Sequence, residues 1–132
     1  MLSQSRKVSI TKEFTFDSAH RLHNYDGVCA FTHGHTYRLQ VTVSGPINPL
    51  TGLLIDFQNL NSLVEKYVID VLDHKDITEY FDARGGMNTT VENLSMWIYL
   101  TLVSNIPSNL PVKIASVKLW ETPTCFAECK GE

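Results

Sequence analysis

The sequence is poor in the features that mark several large classes of protein. Its 132 residues include three cysteines, Cys29, Cys125 and Cys129, an odd number without C-x-x-C spacing. A disulfide framework is therefore not expected, and a reducing, cytoplasmic compartment fits best. The net charge is −3 and the basic residues are scattered, which predicts neither a nucleic-acid groove nor a membrane-surface helix.

Long apolar runs are missing as well. No stretch approaches the roughly 18 apolar residues that a membrane-spanning helix needs. The N-terminal residues lack the apolar segment of a signal peptide, so none is expected. What remains is an ordinary globular composition, 43% apolar and 19% charged. A chain of this length predicts one domain over residues 1–132 with a core of its own.

Strand patterns lie at both ends of the chain. Residues 8–20 and 33–44 alternate apolar and polar side chains, as half-buried strands do. Residues 112–121 and 124–130 indicate a third and a short fourth strand. The strands at both ends enclose a helical middle, which is typical of an α+β domain.

Two helices are predicted between the strand pairs. Residues 57–72 carry apolar side chains at helical spacing, with Asp56 as the N-cap. A second helix follows the segment from Thr89 to Glu92, which resembles a capping box, and runs to about Ser104. The order β-β-α-α-β-β predicts a four-stranded antiparallel sheet with both helices on one face. The other face would be left for an oligomer to cover.

Three histidines share the apolar parity of the first two strands. His33 and His35 are two residues apart, so a strand points both to one side, and His20 ends the preceding strand. If those strands pair, three imidazoles converge, which is the ligand set of a catalytic zinc with one open position. The alternative is that the three histidines cap or fill the strand ends. His23 has no comparable partner and is predicted to lie at the surface.

Three further positions are candidates for acid–base or binding chemistry. Cys29 lies four residues before His33, where its thiol is either a base beside a metal or a small buried group. Asp73 and His74 end the first helix and form either a proton-carrying pair or an ordinary helix terminus. Glu121 ends an apolar strand, where its carboxylate either accepts two N–H bonds from a cyclic amidine-like edge or is solvated.

Four segments in order resemble one known family: FDSAHRL, a cysteine separated by three residues from HGHTY, LDHKD, and WETP. They are similar to the 6-pyruvoyl-tetrahydropterin synthase family, in particular its 6-carboxytetrahydropterin synthase branch in queuosine biosynthesis. The resemblance implies the tunnelling fold and a hexamer built from two trimers. It also implies zinc on His20, His33 and His35.

The same resemblance assigns the remaining roles. Cys29 would accept a proton, Asp73 and His74 would form the partner acid–base pair, and Glu121 would anchor the pterin and take part in the proton relay. Thr90 would lie near the pterin. The implied substrate is 7,8-dihydroneopterin triphosphate, which the queuosine branch converts to 6-carboxytetrahydropterin with release of acetaldehyde and triphosphate. The 6-pyruvoyl branch retains the two-carbon fragment.

The spacing between Cys29 and HGH favours the queuosine branch over animal 6-pyruvoyl synthases, which carry a longer insertion. Two positions depart from the family pattern: Thr78 stands where asparagine is usual, and Thr89 where proline is usual. A different class of function is a non-catalytic zinc- or pterin-binding module. A fourth protein ligand on the metal would distinguish it from the enzyme. The candidates for triphosphate binding are Arg21, Lys75, Arg84 and Lys118.

Overall fold

The computed structural model describes residues 6–131. Two long strands come first, and a helical middle and two further strands follow. A short 3₁₀ turn, Val28–Ala30, lies between the first two strands. The elements in chain order are β1 (Lys7–His20), β2 (His33–Pro46), α1 (Phe57–Val64), a π-helical turn (Glu65–Ile69), α2 (Asp70–Leu72), β3 (Lys75–Asp76), α3 (Ile77–Asp82), α4 (Val91–Asn105), β4 (Lys113–Thr122) and β5 (Cys125–Lys130).

The strands form one sheet in the order β3-β1-β2-β4-β5. β1 and β2 pair antiparallel along their whole length, so that His20 lies opposite His33. β2–β4 and β4–β5 are antiparallel too. The prediction of four antiparallel strands was incomplete, because β3 adds a fifth, parallel to β1 at Ser18 and Ala19. Two residues are too few to produce an alternating pattern in a sequence.

Alternate residues of the three central strands point into the core, except at an irregularity in β4, where the buried Ile114 and Val117 are three residues apart. Phe16, Tyr37 and Leu39 are almost fully buried there against the helices. Burying one such side chain contributes about 1.5–3 kcal/mol. Leu60 and Val64 of α1 and Leu94, Ile98 and Leu102 of α4 complete the same cluster. The fold class is therefore the α+β class that the patterns predict.

The opposite face of the sheet is polar and carries aromatic groups. The Arg38 guanidinium carbon lies 3.9 Å from the centroid of the Trp120 ring. Trp120 in turn stacks on Phe126 of β5, with centroids 4.6 Å apart. This face is the one that we expect an oligomer to cover.

Two side chains cap the long helices. Asp56 accepts from the backbone N–H of Gln58, as predicted. Thr90 caps α4 by accepting from Asn93 N–H, so the predicted capping box from Thr89 to Glu92 was displaced by one residue. Thr89 is fully buried instead, because it contacts His20.

The helical middle differs from the prediction in two further places. The helix over 57–72 contains the π-helical turn at Glu65–Ile69, which periodicity did not indicate. The irregular stretch after it contains α3, whose six residues are too few for a clear helical period. Among the described residues, 6–131, no helix is both long and apolar enough to cross a membrane.

Candidate active site and metal centre

Three histidines meet where β1 ends and β2 begins. The strand register sets His20 directly against His33, and the period of two places His35 on the same side as His33. The ring centroids are 4.6 Å apart for His20 and His33, 5.1 Å for His20 and His35, and 4.8 Å for His33 and His35. The convergence predicted from the alternating pattern is therefore present.

The histidine nitrogens fit a metal ion. The Nε2 atoms of all three are buried, and none of them makes a well-aligned hydrogen bond among residues 6–131, although His35 Nε2 lies 3.2 Å from an oxygen of Glu121. His20 Nδ1 lies 2.9 Å from the Thr89 carbonyl oxygen, and His33 Nδ1 lies 2.8 Å from that of Phe31. Because a carbonyl can only accept, each Nδ1 carries the hydrogen and each Nε2 keeps its lone pair. Metal-binding histidines are oriented in this way, and imidazole nitrogen is a preferred ligand of zinc.

Glu121 brings a carboxylate to the histidines from β4. Its Oε1 lies 3.2 Å from His35 Nε2, and one ligand atom of each of these four residues lies within 4.8 Å of the others. The sequence offered no sign of a fourth group at the metal, since residues 35 and 121 meet only through the pairing of β2 with β4. A half-buried carboxylate here can bind either a cation or paired N–H donors.

Burial favours the neutral form of two of these imidazoles, His20 and His35. It lowers the pKa of His20, and the neighbouring His33 and His35 lower it further, while the hydrogen bond to Thr89 and the charge of Glu121 act in the opposite direction. Burial also lowers the pKa of His35, against the opposing charge of Glu121. The neutral imidazole is the form that ligates a metal.

Tyr37 lies beneath the cluster and was not among the predicted site residues. Its ring centroid is 5.6 Å from that of His35 and 6.1 Å from that of His20. Burial raises the pKa of its hydroxyl, which has no hydrogen-bond partner in the described part of the chain. Its position two residues after His35, on the same parity, was the signal available in the sequence.

Asp73 and His74 form a separate pair at the outer edge of β1. The Asp73 carboxylate accepts from Asp17 N–H at 2.9 Å and lies 2.9 Å from His74 Nδ1. These two contacts lower the pKa of Asp73. His74 has φ 56° and its side chain is 78% exposed. An open cavity of about 520 Å³ is lined by Asp17, His35, His74 and Lys75, among others.

Cys29 and Thr90 are not among the four converging groups. Cys29 lies in the 3₁₀ turn, partly buried, and its carbonyl accepts from Leu22 N–H at 2.8 Å. The Thr90 hydroxyl accepts from Asn93 N–H at 3.1 Å. The acid–base role of Cys29 and the pterin contact of Thr90 stay predictions.

His23 has more partners than the sequence indicates. Its Nε2 lies 2.8 Å from Asp82 Oδ1, and Asn88 holds both of its peptide groups. Arg21 lies 3.7 Å from the other oxygen of Asp82, so this carboxylate is shared. The loop after β1 is therefore tied to α3 and to the segment before α4.

The remaining basic candidates have different surroundings. Arg84 donates to the Tyr80 carbonyl and lies over the Tyr80 ring. Lys118 lies 5.7 Å from the centroid of Phe126 on the open face. Lys75 lines the cavity that His35 and His74 also line.

Comparison with known proteins decides the family. The family model for 6-pyruvoyl tetrahydropterin synthase matches residues 9–132. The chain belongs to the 6-pyruvoyl tetrahydropterin synthase family. The predicted family is thus confirmed, and membership supports an enzyme that acts on a pterin.

Relatives and solved structures agree with this membership. The chain is 34% identical to a 6-carboxy-5,6,7,8-tetrahydropterin synthase of Haemophilus influenzae, over 90% of this chain and 96% of the relative. It is 31% identical to a 6-pyruvoyl tetrahydrobiopterin synthase of Dictyostelium discoideum, over 97% and 99%. The structure of the Caenorhabditis elegans 6-pyruvoyl tetrahydropterin synthase superposes with a TM-score of 0.84, at 26% identity and 99% and 100% coverage. The predicted tunnelling fold is confirmed.

Proposed function

We propose that this protein is a zinc-dependent 6-carboxytetrahydropterin synthase that converts 7,8-dihydroneopterin triphosphate with release of acetaldehyde and triphosphate, in queuosine biosynthesis. The observation that carries the proposal is the convergence of His20, His33 and His35: one ring nitrogen of each lies within 4.8 Å of the others and of a carboxylate oxygen of Glu121. Family membership supplies the substrate class.

The three histidines would hold the metal. When bound, zinc supplies a Lewis acid that lowers the pKa of the two side-chain hydroxyls of the substrate. The hydrogen bonds from His20 and His33 Nδ1 to backbone carbonyls hold the rings with Nε2 turned inward. Tyr37, buried below them, closes the floor of the site.

Glu121 would bind the pterin. It lines an open cavity of about 460 Å³ together with His35, Trp120 and Arg38. A carboxylate accepts two parallel N–H bonds, which matches the amino and ring N–H groups at one edge of a pterin. Thr90 would lie near the same ring. Because His35 lines this cavity and also the one beside Lys75, we assign Lys75 to the triphosphate.

Two groups would move protons. The Cys29 thiolate would remove a proton from the substrate side chain as a general base. Asp73 holds His74 through Nδ1, which leaves Nε2 of that exposed ring available as a proton carrier. His74 lies at an outer edge of the sheet, so in the proposed hexamer, a pair of trimers, it can serve a site that a neighbouring subunit completes.

Two observations favour the carboxy branch and one favours its nearest alternative. The three-residue spacing between Cys29 and HGH and the 34% identity to the Haemophilus influenzae protein support 6-carboxytetrahydropterin formation. The similarity to the Dictyostelium discoideum and Caenorhabditis elegans proteins supports a 6-pyruvoyl-tetrahydropterin synthase as the second candidate. The closeness of Glu121 to the histidines supports a third, a non-catalytic module with a four-ligand metal.

One assay separates the three candidates. Zinc-loaded protein is incubated with 7,8-dihydroneopterin triphosphate. The released acetaldehyde is measured, and the mass of the pterin product is determined by mass spectrometry. We expect acetaldehyde and 6-carboxytetrahydropterin in equal amounts. A product that retains the two-carbon fragment would contradict the proposal and indicate a 6-pyruvoyl synthase. Binding of zinc and pterin without turnover would indicate the non-catalytic module.

A further inference from the structure

Two glycines lie within β2, and the protein's own packing requires only one of them. A Cβ at Gly45 would be 2.5 Å from the Pro111 carbonyl oxygen and 2.9 Å from Leu54 Cδ1, closer than real contacts allow. Apart from the two chain neighbours of Gly34, the described residues place one atom within 4 Å of a Cβ at that position. This atom is the Ser18 carbonyl oxygen at 3.6 Å, an ordinary contact. Space therefore requires glycine at position 45 but not at position 34.

The backbone at Gly34 does not require glycine either. The glycines with a left-handed φ among residues 6–131 are Gly52, Gly85 and Gly86. The pairing of β1 with β2 runs through Ala19 and Gly34 without a register shift, so no bulge lies there. Glycine inside a strand lowers stability relative to alanine. The remaining reason for it in a strand is the close approach of a ligand or of another backbone.

Two open cavities share Gly34 as a lining residue. One has a volume of about 520 Å³ and the other about 460 Å³, and both are lined by Gly34, His35 and Thr36. The other two side chains of this shared wall have partners in the chain. His35 Nε2 lies 3.2 Å from an oxygen of Glu121, and the Thr36 hydroxyl donates to the Asp17 carboxylate. Gly34 contributes only backbone to the wall, so a ligand has room to lie across it.

The two cavities offer different chemistry to a ligand. The smaller contains the carboxylate of Glu121 and the ring of Trp120, which suit a flat ring that carries N–H donors. Arg38 also lines this cavity, and its guanidinium lies over the Trp120 ring. The larger cavity is lined by Lys75, whose ammonium suits an anionic group, and by the exposed His74. A ligand that fits both is an extended molecule with such a ring at one end and an anion at the other.

We propose that Gly34 is a specificity-determining residue, because its missing side chain lets one ligand lie across β2 with its ring beside Glu121 and its anionic end beside Lys75. This inference rests on the proposed function, which supplies 7,8-dihydroneopterin triphosphate as a ligand of this form. The side-chain carbons between the pterin ring and the triphosphate would then pass over the backbone of Gly34.

The test adds a methyl group at this position. In Gly34→Ala we expect kcat/KM for 7,8-dihydroneopterin triphosphate to fall roughly 10–200-fold, chiefly through KM, which is the cost of one methyl-sized group in a fitted pocket. Gly34→Val should lose more. Zinc retained after dialysis should stay at the parental amount, because His33 and His35 point to the opposite side of β2.

The same variant should be more stable than the parent. Alanine has fewer unfolded conformations than glycine, and its Cβ fits the space at position 34. We therefore expect Tm of Gly34→Ala to rise by about 1–5 °C, measured by calorimetry. A residue that serves only the fold would lose stability and activity together, whereas here the two change in opposite directions.

Fragments of the substrate show whether one ligand crosses Gly34. Zinc-loaded parent and Gly34→Ala are titrated separately with a pterin that lacks the side chain and with inorganic triphosphate. Each fragment occupies one cavity, so its affinity should change by less than about threefold, against the roughly 10–200-fold loss for the whole substrate.

Two control variants have expected results of their own. Gly45→Ala introduces the close contact with Pro111 and should lower Tm, the opposite of Gly34→Ala. Ser9→Thr adds a methyl group to β1 at the other end of the hairpin, where Ser9 pairs with Ser44. We expect this variant to keep the parental KM and zinc content.

Specific outcomes would overturn the proposal. Parental kcat/KM in Gly34→Ala would do so, as would an equal loss of affinity for one fragment alone. A lower Tm or a failure to fold would show that the fold itself needs the glycine. A changed oligomeric state in light scattering would show that a neighbouring chain approaches Gly34 instead. A parent that neither binds nor converts 7,8-dihydroneopterin triphosphate would overturn the proposed function and with it this ligand, while the Tm comparison would still decide whether the fold needs Gly34.

Discussion

Two groups of titratable side chains lie near the end of β1, and they are built in opposite ways. The histidine cluster, His20, His33 and His35, is turned inward, with the Nε2 atoms buried and two Nδ1 atoms tied to carbonyls. The Asp73–His74 pair is turned outward. The ring of His74 is exposed, and the backbone of His74 is left-handed. The buried nitrogens of the first group could hold a small ion, whereas the second group is accessible to a molecule from outside the chain.

Under the proposed function, this difference separates metal binding from proton transfer. Removing an inward-facing nitrogen takes away one of the three proposed metal ligands, so we expect metal binding to be lost. Changing an outward-facing group should leave metal binding intact and lower turnover or, slightly, stability. Cys29 lies in the loop between the two strands. Its variants show whether it affects metal binding or turnover.

Removing a histidine of the cluster should have the largest effect. His33→Ala leaves two imidazoles, so we expect zinc affinity to fall by more than the roughly hundredfold that a change in an outer hydrogen bond costs. Elemental analysis after dialysis measures the retained metal. His23→Ala is the matched control, since His23 pairs with Asp82 rather than with the cluster. We expect this variant to retain one zinc per chain. Stoichiometric zinc in His33→Ala would contradict the assignment.

Changing Cys29 should act on turnover alone. A serine hydroxyl nearly preserves the shape of the thiol but stays protonated at neutral pH. We therefore expect Cys29→Ser to keep zinc and pterin binding and to release acetaldehyde about 10²–10⁴-fold more slowly, the range for a lost general base. Near-normal release would indicate that Cys29 only packs in the loop and that His74 is the base.

Changing Asp73 should have the smallest effect and a defined pH dependence. The folded state lowers the pKa of Asp73 through the hydrogen bonds from Asp17 and His74, so the unfolded state binds more protons when the carboxyl titrates. The stability it contributes is present above the unfolded pKa, about 3.9, and is lost as the pH falls through the lower folded pKa. At pH 7, Asp73→Asn should lower Tm by less than about 4 °C, because the carboxylate is partly exposed and its partner His74 is exposed.

Calorimetry of the parent and Asp73→Asn across this range measures the effect. The difference in Tm should shrink as the solution becomes more acidic. A difference that does not change between pH 7 and pH 3 would show that the carboxylate charge contributes nothing, and that Asp73 acts through shape alone.

Local pattern was enough to predict the two long strands and the histidine cluster. A strand has a period of two, so the parity of His33 and His35 follows from the residues themselves. The hairpin between β1 and β2 then leaves few registers that keep Phe16, Tyr37 and Leu39 in the core, and that register sets His20 against His33. The cap at Asp56 is likewise local, because it depends on the next two residues.

Contacts between distant segments were decided by the tertiary structure. β3 forms because the end of α2 brings two residues against β1, and Glu121 reaches His35 because β4 pairs with β2. Thr89 was predicted to cap a helix and instead supports His20, since burial against a distant imidazole outweighs a local cap that Thr90 can provide. No period in a sequence encodes such pairs, because they depend on how whole elements pack rather than on which residues are neighbours.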